Sequence, residues 1–309
     1  MKTGRGRGTG MLMAAGAALL WASINVILKH VAETDLHPIG TSCLLYLSAL
    51  VVLVPTLLVL RRRGSWNGPR LSFFRRANLI AGLAKAGETL FFVYAVRSIS
   101  ATQTTMLTKL SPVWVYLLLI VLYRERLRVM RLVGVLLSVG GVYVLLGGAG
   151  DLLSPDGGAL LGSVFAILSG LSFAVFSVVL EKDPSAGDSR STVDRLQATV
   201  SFLGSALLFM LPIGIAFLPG HLPSLSDLLW IFLAGGVFTG ATYFLYYSAL
   251  TQLSSLMAVV MLSLIVVFTM LLEFLFLGTA TLTLSFGIGA VVILIGVLFV
   301  ANQRDARGS

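Results

Sequence analysis

The sequence predicts an all-α, polytopic membrane protein with ten transmembrane helices in a 5+5 inverted repeat. Three observations predict it. The chain holds ten apolar runs long enough to cross a bilayer, its basic residues gather on alternate connections, and its second half echoes its first.

The apolar runs fall at about 11–31, 39–60, 76–97, 100–123, 130–148, 158–180, 195–217, 225–250, 254–277 and 283–301. A spanning helix needs roughly 20 apolar residues. Only helices and closed barrels satisfy their backbone groups in lipid, and runs this long without two-residue alternation are helices. Composition agrees. The 309 residues are 57% hydrophobic and 11% charged, with mean hydropathy +0.96. Soluble domains carry about 25% charged residues, so this chain cannot cover a water-facing surface. The first run follows Lys2, Arg5 and Arg7 as a signal peptide would. Its length, the charged Lys29 close behind it and its place in the repeat make it an uncleaved helix.

The charge pattern orients the bundle. With the N-terminus in the cytoplasm, eighteen of the 22 Lys and Arg residues lie on inside segments. Lys29 and Arg97 lie outside, and Lys85 and Lys109 lie within helices. Such a bias marks cytoplasmic loops. Both termini are therefore expected in the cytoplasm of a plasma (inner) membrane. The net charge of +9 then reads as topology and as attraction to the anionic lipid bilayer, and no nucleic-acid partner is expected.

The repeat appears when GLAKAGETLFFVYAVRSISA (82–101) is set beside GGVFTGATYFLYYSALTQLSS (235–255). Gly82 falls on Gly235, Gly87 on Gly240, Phe91 on Phe244 and Tyr94 on Tyr247, each 153 residues apart. LVGVLLSVGGVYVLL (132–146) similarly resembles FGIGAVVILIGVLFV (286–300). Each half holds five helices, and an odd count turns the second copy upside down. Inverted repeats recur in secondary transporters that rock around a midplane site. The expected organisation is a disordered cytoplasmic N-terminus (1–10), a first repeat (11–148), an external linker (149–157), a second repeat (158–301) and a cytoplasmic tail (302–309).

The stretch ATQTTMLTKLSPVWVYLLLIVLYRERLRVMRLVGVLLSVGGVYVLL (101–146) resembles the fourth and fifth helices of the drug/metabolite transporter superfamily, EamA type. The features are a Thr-rich helix start, Ser111-Pro112 in mid-helix, Glu125 at the cytoplasmic end, then Gly134 and Gly140-Gly141. LLWASINVILKH (19–30) resembles the first helix of that family. The resemblance implies that helices one to four and six to nine surround a central cavity. It also implies export or exchange of small metabolites without ATP hydrolysis. The second half departs from the pattern: Ile265 stands opposite Pro112, and GTATLT replaces the Glu expected near 278–280.

The candidate site lies among charges placed deep in apolar helices. Lys85, Glu88 and Lys109 sit about ten or more residues from their helix ends. A lone charge at the bilayer centre costs roughly 2.5–3.5 kcal/mol, so such groups pair or face water. Residues three apart share a helix face, so Lys85 and Glu88 can pair. That leaves Lys109 as a spare cation for a carboxylate or phosphate. Glu88 can meet a substrate ammonium or take up a proton as part of coupling. An interhelical clamp, with Glu88 shared between the two lysines, is the alternative. Thr105, Lys109, Pro112 and Tyr116 form one stripe, and Pro112 frees the carbonyl near Thr108, a hinge or a static bend. Trp21 and Asn25 share a face of helix one, and Thr239, Tyr243 and Tyr246 a face of helix eight. These residues are the expected lining of a small-molecule substrate site.

Other residues are assigned elsewhere. Glu273 lies near the outer end of helix nine, where it reaches water. Glu125 is expected to pair with Arg124, Arg126 and Arg128. Gly140-Gly141, Gly147-Gly148 and Gly235-Gly236 read as close helix packing. His30, His37 and His221 are too scattered for a metal, and the single Cys43 excludes internal disulfides and a Cys-based zinc site. GRGRG and GGAG lack a phosphate loop's context. With no nucleophile–base set, neither an enzyme nor a cofactor is expected. The leading reading is a secondary exporter of a carboxylate-bearing metabolite, an amino acid first among them. The alternatives are an exchanger of phosphorylated or nucleotide-linked sugars, and a non-carrier such as a channel or scaffold. Substrate identity and oligomeric state are not legible.

Overall fold

A computed structural model describes residues 4–31, 37–63, 73–99, 101–126, 128–146, 157–183, 191–217, 224–278 and 283–302. The expected linker and C-terminal tail fall almost wholly outside these, as do His221, Gly147-Gly148 and the side chains of Lys29 and His30. Ten helical spans stand in the expected order: α1 (Gly4–Val31), α2 (Pro38–Arg63), α3 (Arg76–Ser98), α4 (Ala101–Thr108 and Ser111–Val121), α5 (Val129–Leu145), α6 (Gly157–Lys182), α7 (Thr192–Ala216), α8 (Leu225–Phe232, Leu233–Thr239 and Gly240–Leu250), α9 (Ser255–Met261, Leu264–Leu272 and Glu273–Leu277) and α10 (Leu284–Ala301). Nine of these described spans are long and apolar enough to cross a bilayer; α5, with 17 residues, is shorter. No strand occurs among the described residues. α1 begins at Gly4, inside the segment expected to be disordered. The Arg7 guanidinium there donates to the Ala301 carbonyl at the end of α10.

Sequence punctuation explains several helix starts. Ser191 and Asp194 form a reciprocal capping box before α7. Ser224, Ser254 and Thr283 cap α8, α9 and α10 by accepting from the backbone N–H three residues on. Leucines, valines and phenylalanines cover the outward faces, among them Val51, Leu58, Leu83, Leu117, Leu161 and Leu298. A bundle in lipid needs that surface.

The described ends of the three basic connections, α2–α3, α4–α5 and α6–α7, meet at one end. Arg75 pairs with Asp183, and Lys182 reaches Glu125 at 2.8 Å. Arg61 donates to Gln197. Glu125 also pairs with Arg131 at 3.6 Å. Among the described residues Glu125 thus pairs with Lys182 and Arg131, and not with the neighbouring Arg124, Arg126 and Arg128 expected from the sequence. Both described chain ends, joined through Arg7, lie at this same end.

Glycines set the deepest helix contacts. A Cβ on Gly134 would meet the Gly296 carbonyl oxygen at 2.9 Å, and one on Gly141 would meet that of Gly289 at 2.9 Å. As α5 advances α10 retreats, so the two run antiparallel. Gly134 and Gly141 correspond to Gly289 and Gly296 two residues beyond the main repeat offset. Each therefore faces its partner's counterpart, as a twofold axis between the halves requires. Likewise Gly82 of α3 abuts α7 at Ala206 N (2.7 Å), and its repeat mate Gly235 of α8 abuts α2 at the Leu45 carbonyl (2.6 Å). The halves interlock in this exchanged way throughout, α3 on α6 and α7, and α8 on α1 and α2. The arrangement fits the 5+5 inverted repeat. Gly140, expected to pack closely, faces open space.

Gly141→Ala should cost about 1–3 kcal/mol, the usual range for overpacking, because its new methyl meets backbone. Gly140→Ala should be neutral or gain up to about 1 kcal/mol of helix propensity. Thermal unfolding of the two variants in one detergent checks the pair, and equal melting temperatures would refute the packing assignment.

Candidate functional site

A cavity of about 720 Å³ lies between the halves, reached by α1–α4, α6, α8 and α9. It extends from mid-bundle toward the end opposite the basic connections, where Ser42, Thr105 and Glu273 line it near their helix ends. Toward the basic end an aromatic floor closes it. Trp21 meets Phe173 and Tyr243 edge-on at centroid distances of 5.8 and 5.6 Å, and Phe176 meets Phe202 at 5.3 Å. Tyr246 completes this layer, buried against Phe173 and Phe176, with its hydroxyl donated to Ser177 at 2.7 Å.

Helix irregularities aim the walls. In α4, Pro112 cannot donate, and the chain breaks at Lys109-Leu110. Lys109 N still bonds Thr105 O at 3.0 Å, but Leu110 N turns to Leu107 O at 3.2 Å. The freed Thr108 carbonyl points at Gly170 of α6, where a Cβ would approach within 2.9 Å. The same pattern recurs 153 residues on, without a proline: Leu262 N bonds Ala258 O at 3.1 Å and Ser263 N bonds Val260 O at 3.1 Å. In α8 a wide π turn over Leu233–Thr239 ties the Thr239 hydroxyl to Ala234 O at 2.8 Å. Thr239, Thr242 and Tyr243 then line the cavity.

The charges divide by role. Lys85 is almost wholly buried (2% exposed) and pairs with Glu88 one turn on. Its ammonium also sits 5.1, 5.3 and 5.7 Å from the ring centres of Trp21, Tyr243 and Phe173. Cation–π contacts of this kind are worth about 2 kcal/mol or more when desolvated. Glu88 Oε2 serves Lys85 and accepts from the Thr89 hydroxyl at 3.3 Å, and the backbone carbonyl of Glu88 accepts from Ser169 at 3.0 Å. Its Oε1 has no hydrogen bond among the described residues. Lys109 lines the cavity wall, half-buried, and no ion pair or hydrogen bond engages its ammonium among the described residues. Among the described residues Glu88 ion-pairs with Lys85, and no hydrogen bond or ion pair joins it to Lys109.

Of the residues expected at the site, Lys85, Glu88, Lys109, Trp21, Asn25, Thr105, Thr239 and Tyr243 line the cavity. Two do not. Tyr116 turns to the α4–α5 connection, where its hydroxyl donates to Arg128 O (3.2 Å) and accepts from Arg128 N (3.1 Å). Tyr246 belongs to the floor. The stripe containing Tyr116 assumed one straight helix, and the break at Leu110 re-aims its second half. Glu273, assigned to the outer surface, lines the cavity instead. Tyr46 was missed; it lies alone in the leucine-rich α2, and its hydroxyl shares a 2.9 Å hydrogen bond with Thr89. Asn25 donates to Thr269 at 3.4 Å, bridging α1 and α9.

The EamA-like transporter family matches residues 8–147 and again residues 160–302. The chain belongs to this family, within the drug/metabolite transporter superfamily. It is 29% identical over 225 residues to an uncharacterized transporter of Helicobacter pylori strain J99, covering 72% of this chain and 71% of that relative. An uncharacterized transporter of strain 26695 is 27% identical over the same shares. One crystal structure of a protein superposes with a TM-score of 0.74 at 20% identity, over 95% of this chain and 96% of the other, and so supports the fold. The EamA chain described here is thus a multi-pass membrane transporter, with a closed floor on its basic end and a partly open cavity above it.

Glu88→Gln should destabilise the protein by about 3–5 kcal/mol, because it leaves the caged Lys85 ammonium without its counter-charge. Lys109→Met should change stability by less than about 1 kcal/mol. Denaturation in detergent, followed by tryptophan fluorescence, separates these outcomes, and the reverse ranking would overturn the division of roles.

Proposed function

We propose that this transporter is a secondary carrier exporting a small carboxylate-bearing metabolite, an amino acid or a close relative, by alternating access around the central cavity. One observation carries the reading. A cavity in an otherwise apolar bundle presents an ammonium and a carboxylate oxygen, Lys109 Nζ and Glu88 Oε1, that donate or accept no hydrogen bond among the described residues. Groups that costly to hold in a membrane persist when water or a charged ligand meets them. Lys109 receives the substrate's carboxylate. Glu88 receives its ammonium, or a proton that couples transport. Trp21, Asn25, Thr105, Thr239 and Tyr243 shape the pocket, and the break before Pro112 supplies the hinge.

The positive-inside bias supports a cytoplasmic basic end with both termini on that side, and the reading takes the membrane to be a plasma membrane. The cavity then faces outward above a closed cytoplasmic floor, one of the two states alternating access requires. A channel is disfavoured because the aromatic floor leaves no continuous path. An exchanger of phosphorylated sugars is disfavoured because a dianion calls for several free cations, and Lys85 is already committed.

Lys109→Ala should weaken substrate half-saturation by about ten- to hundredfold, the worth of one charge-assisted hydrogen bond, with folding intact. Counterflow of radiolabelled amino acids in proteoliposomes measures this. Wild-type flux in the variant would remove Lys109 from the site.

A further inference from the structure

Resting on the carboxylate reading above, we infer that the second repeat builds an apolar slot for the substrate's side chain. The transported class is then amphipathic: a carboxylate-bearing head on a hydrocarbon body. The evidence is a chemical mismatch between two walls with matching backbones. Toward the cavity α4 presents Thr105, Thr108, Lys109 and Ser111, three hydroxyls and an ammonium. Its repeat mate α9 presents Val259, Leu262, Ile265 and Val266 over the corresponding turns. Leu262 stands 153 residues beyond Lys109, at the same break in the helix, so a cation and a branched alkyl group occupy equivalent places.

The neighbouring pair of helices repeats the contrast. Lys85 and Glu88 of α3 correspond to Phe238 and Ala241 of α8. The charge in mid-cavity therefore comes entirely from the first repeat. Polar groups on the second-repeat side are few and mostly occupied at home. Thr239 bonds its own backbone and Thr269 receives Asn25. Glu273 lies further toward the mouth, near the end of α9. Four second-repeat hydroxyls, those of Thr242, Ser248, Ser255 and Ser263, are buried without a hydrogen bond among the described residues; of these Thr242 lines the cavity, on α8 and away from the α9 slot.

Water against the α9 wall has poor hydrogen-bonding partners, so displacing it with a hydrocarbon is favourable. A head held at Lys109 and Glu88 on one wall directs the remainder of the molecule toward the other. Polar side chains gain nothing there and lose their own hydration.

The test uses a straight-chain series, alanine, 2-aminobutyrate, norvaline and norleucine, each in proteoliposome counterflow against its own radiolabelled form. Half-saturation should fall about fourfold per methylene, the ratio that ~0.8 kcal/mol per buried CH₂ sets. Glutamine and serine should be poor substrates. The volume-conserving Val266→Thr should flatten the series toward twofold or less per methylene. Ile265→Thr provides a second variant should the first fail to fold. Saturable flux of these acids without chain-length dependence would overturn the slot and leave the carboxylate reading standing. No flux of any of them would overturn both.

Discussion

An ammonium held inside an apolar bundle needs compensation within its own shell, and the centre of this protein is arranged to supply it to Lys85. The counter-charge comes from Glu88 of α3. The remaining faces come from Trp21 of α1, Phe173 of α6 and Tyr243 of α8. Four helices from both halves therefore converge on one cation. Desolvating an ion costs several kcal/mol even after relaxation, so these groups cannot drift apart without exposing that cost. The same rings form the cavity's floor, which makes closure of the basic end and neutralisation of Lys85 one structural event. What lies above the floor can then differ freely, and there Lys109 stands on the wall with no such shell.

Backbone symmetry and side-chain asymmetry serve separate purposes. Glycine contacts between α5 and α10, and between α3 and α7 or α8 and α2, exchange under the repeat and bring backbones into direct contact. Lipid gives no hydrophobic drive for helix association, so close packing of small residues has to hold the halves together. Side chains facing the cavity escape that constraint. The first repeat kept or acquired charges at positions where the second carries Leu262, Phe238 and Ala241.

Much of this was legible in the sequence because lipid imposes simple rules. Length and hydropathy placed ten spans to within a few residues, apart from α1, whose early start at Gly4 is tied down by a contact to Ala301 that no local pattern announces. The pairing of Lys85 with Glu88 followed from spacing alone, and the break in α4 from Pro112. Failures came where a side chain's direction depends on another helix. Tyr116 left the expected stripe because the break rotated it. Tyr246 satisfied its hydroxyl on Ser177, a residue of α6 with no special mark in the sequence. Tyr46 and Glu273 gave no periodic signal at all. Glu125 found Lys182 across the bundle, a partner that only tertiary contact could reveal.

The two interrupted helices differ in what they can undo. In α4 the Thr108 carbonyl lost its donor covalently, so no rotation can latch that joint with a backbone hydrogen bond. In α9 the amide of Ile265 survives and bonds Leu262 O at 3.1 Å; a modest rotation would return it to the carbonyl one turn back and straighten the rod. The molecule thus has one limb with a permanently loose joint and one that can stiffen reversibly, so a rocking of its halves bends the first without breaking a backbone hydrogen bond and must exchange one in the second.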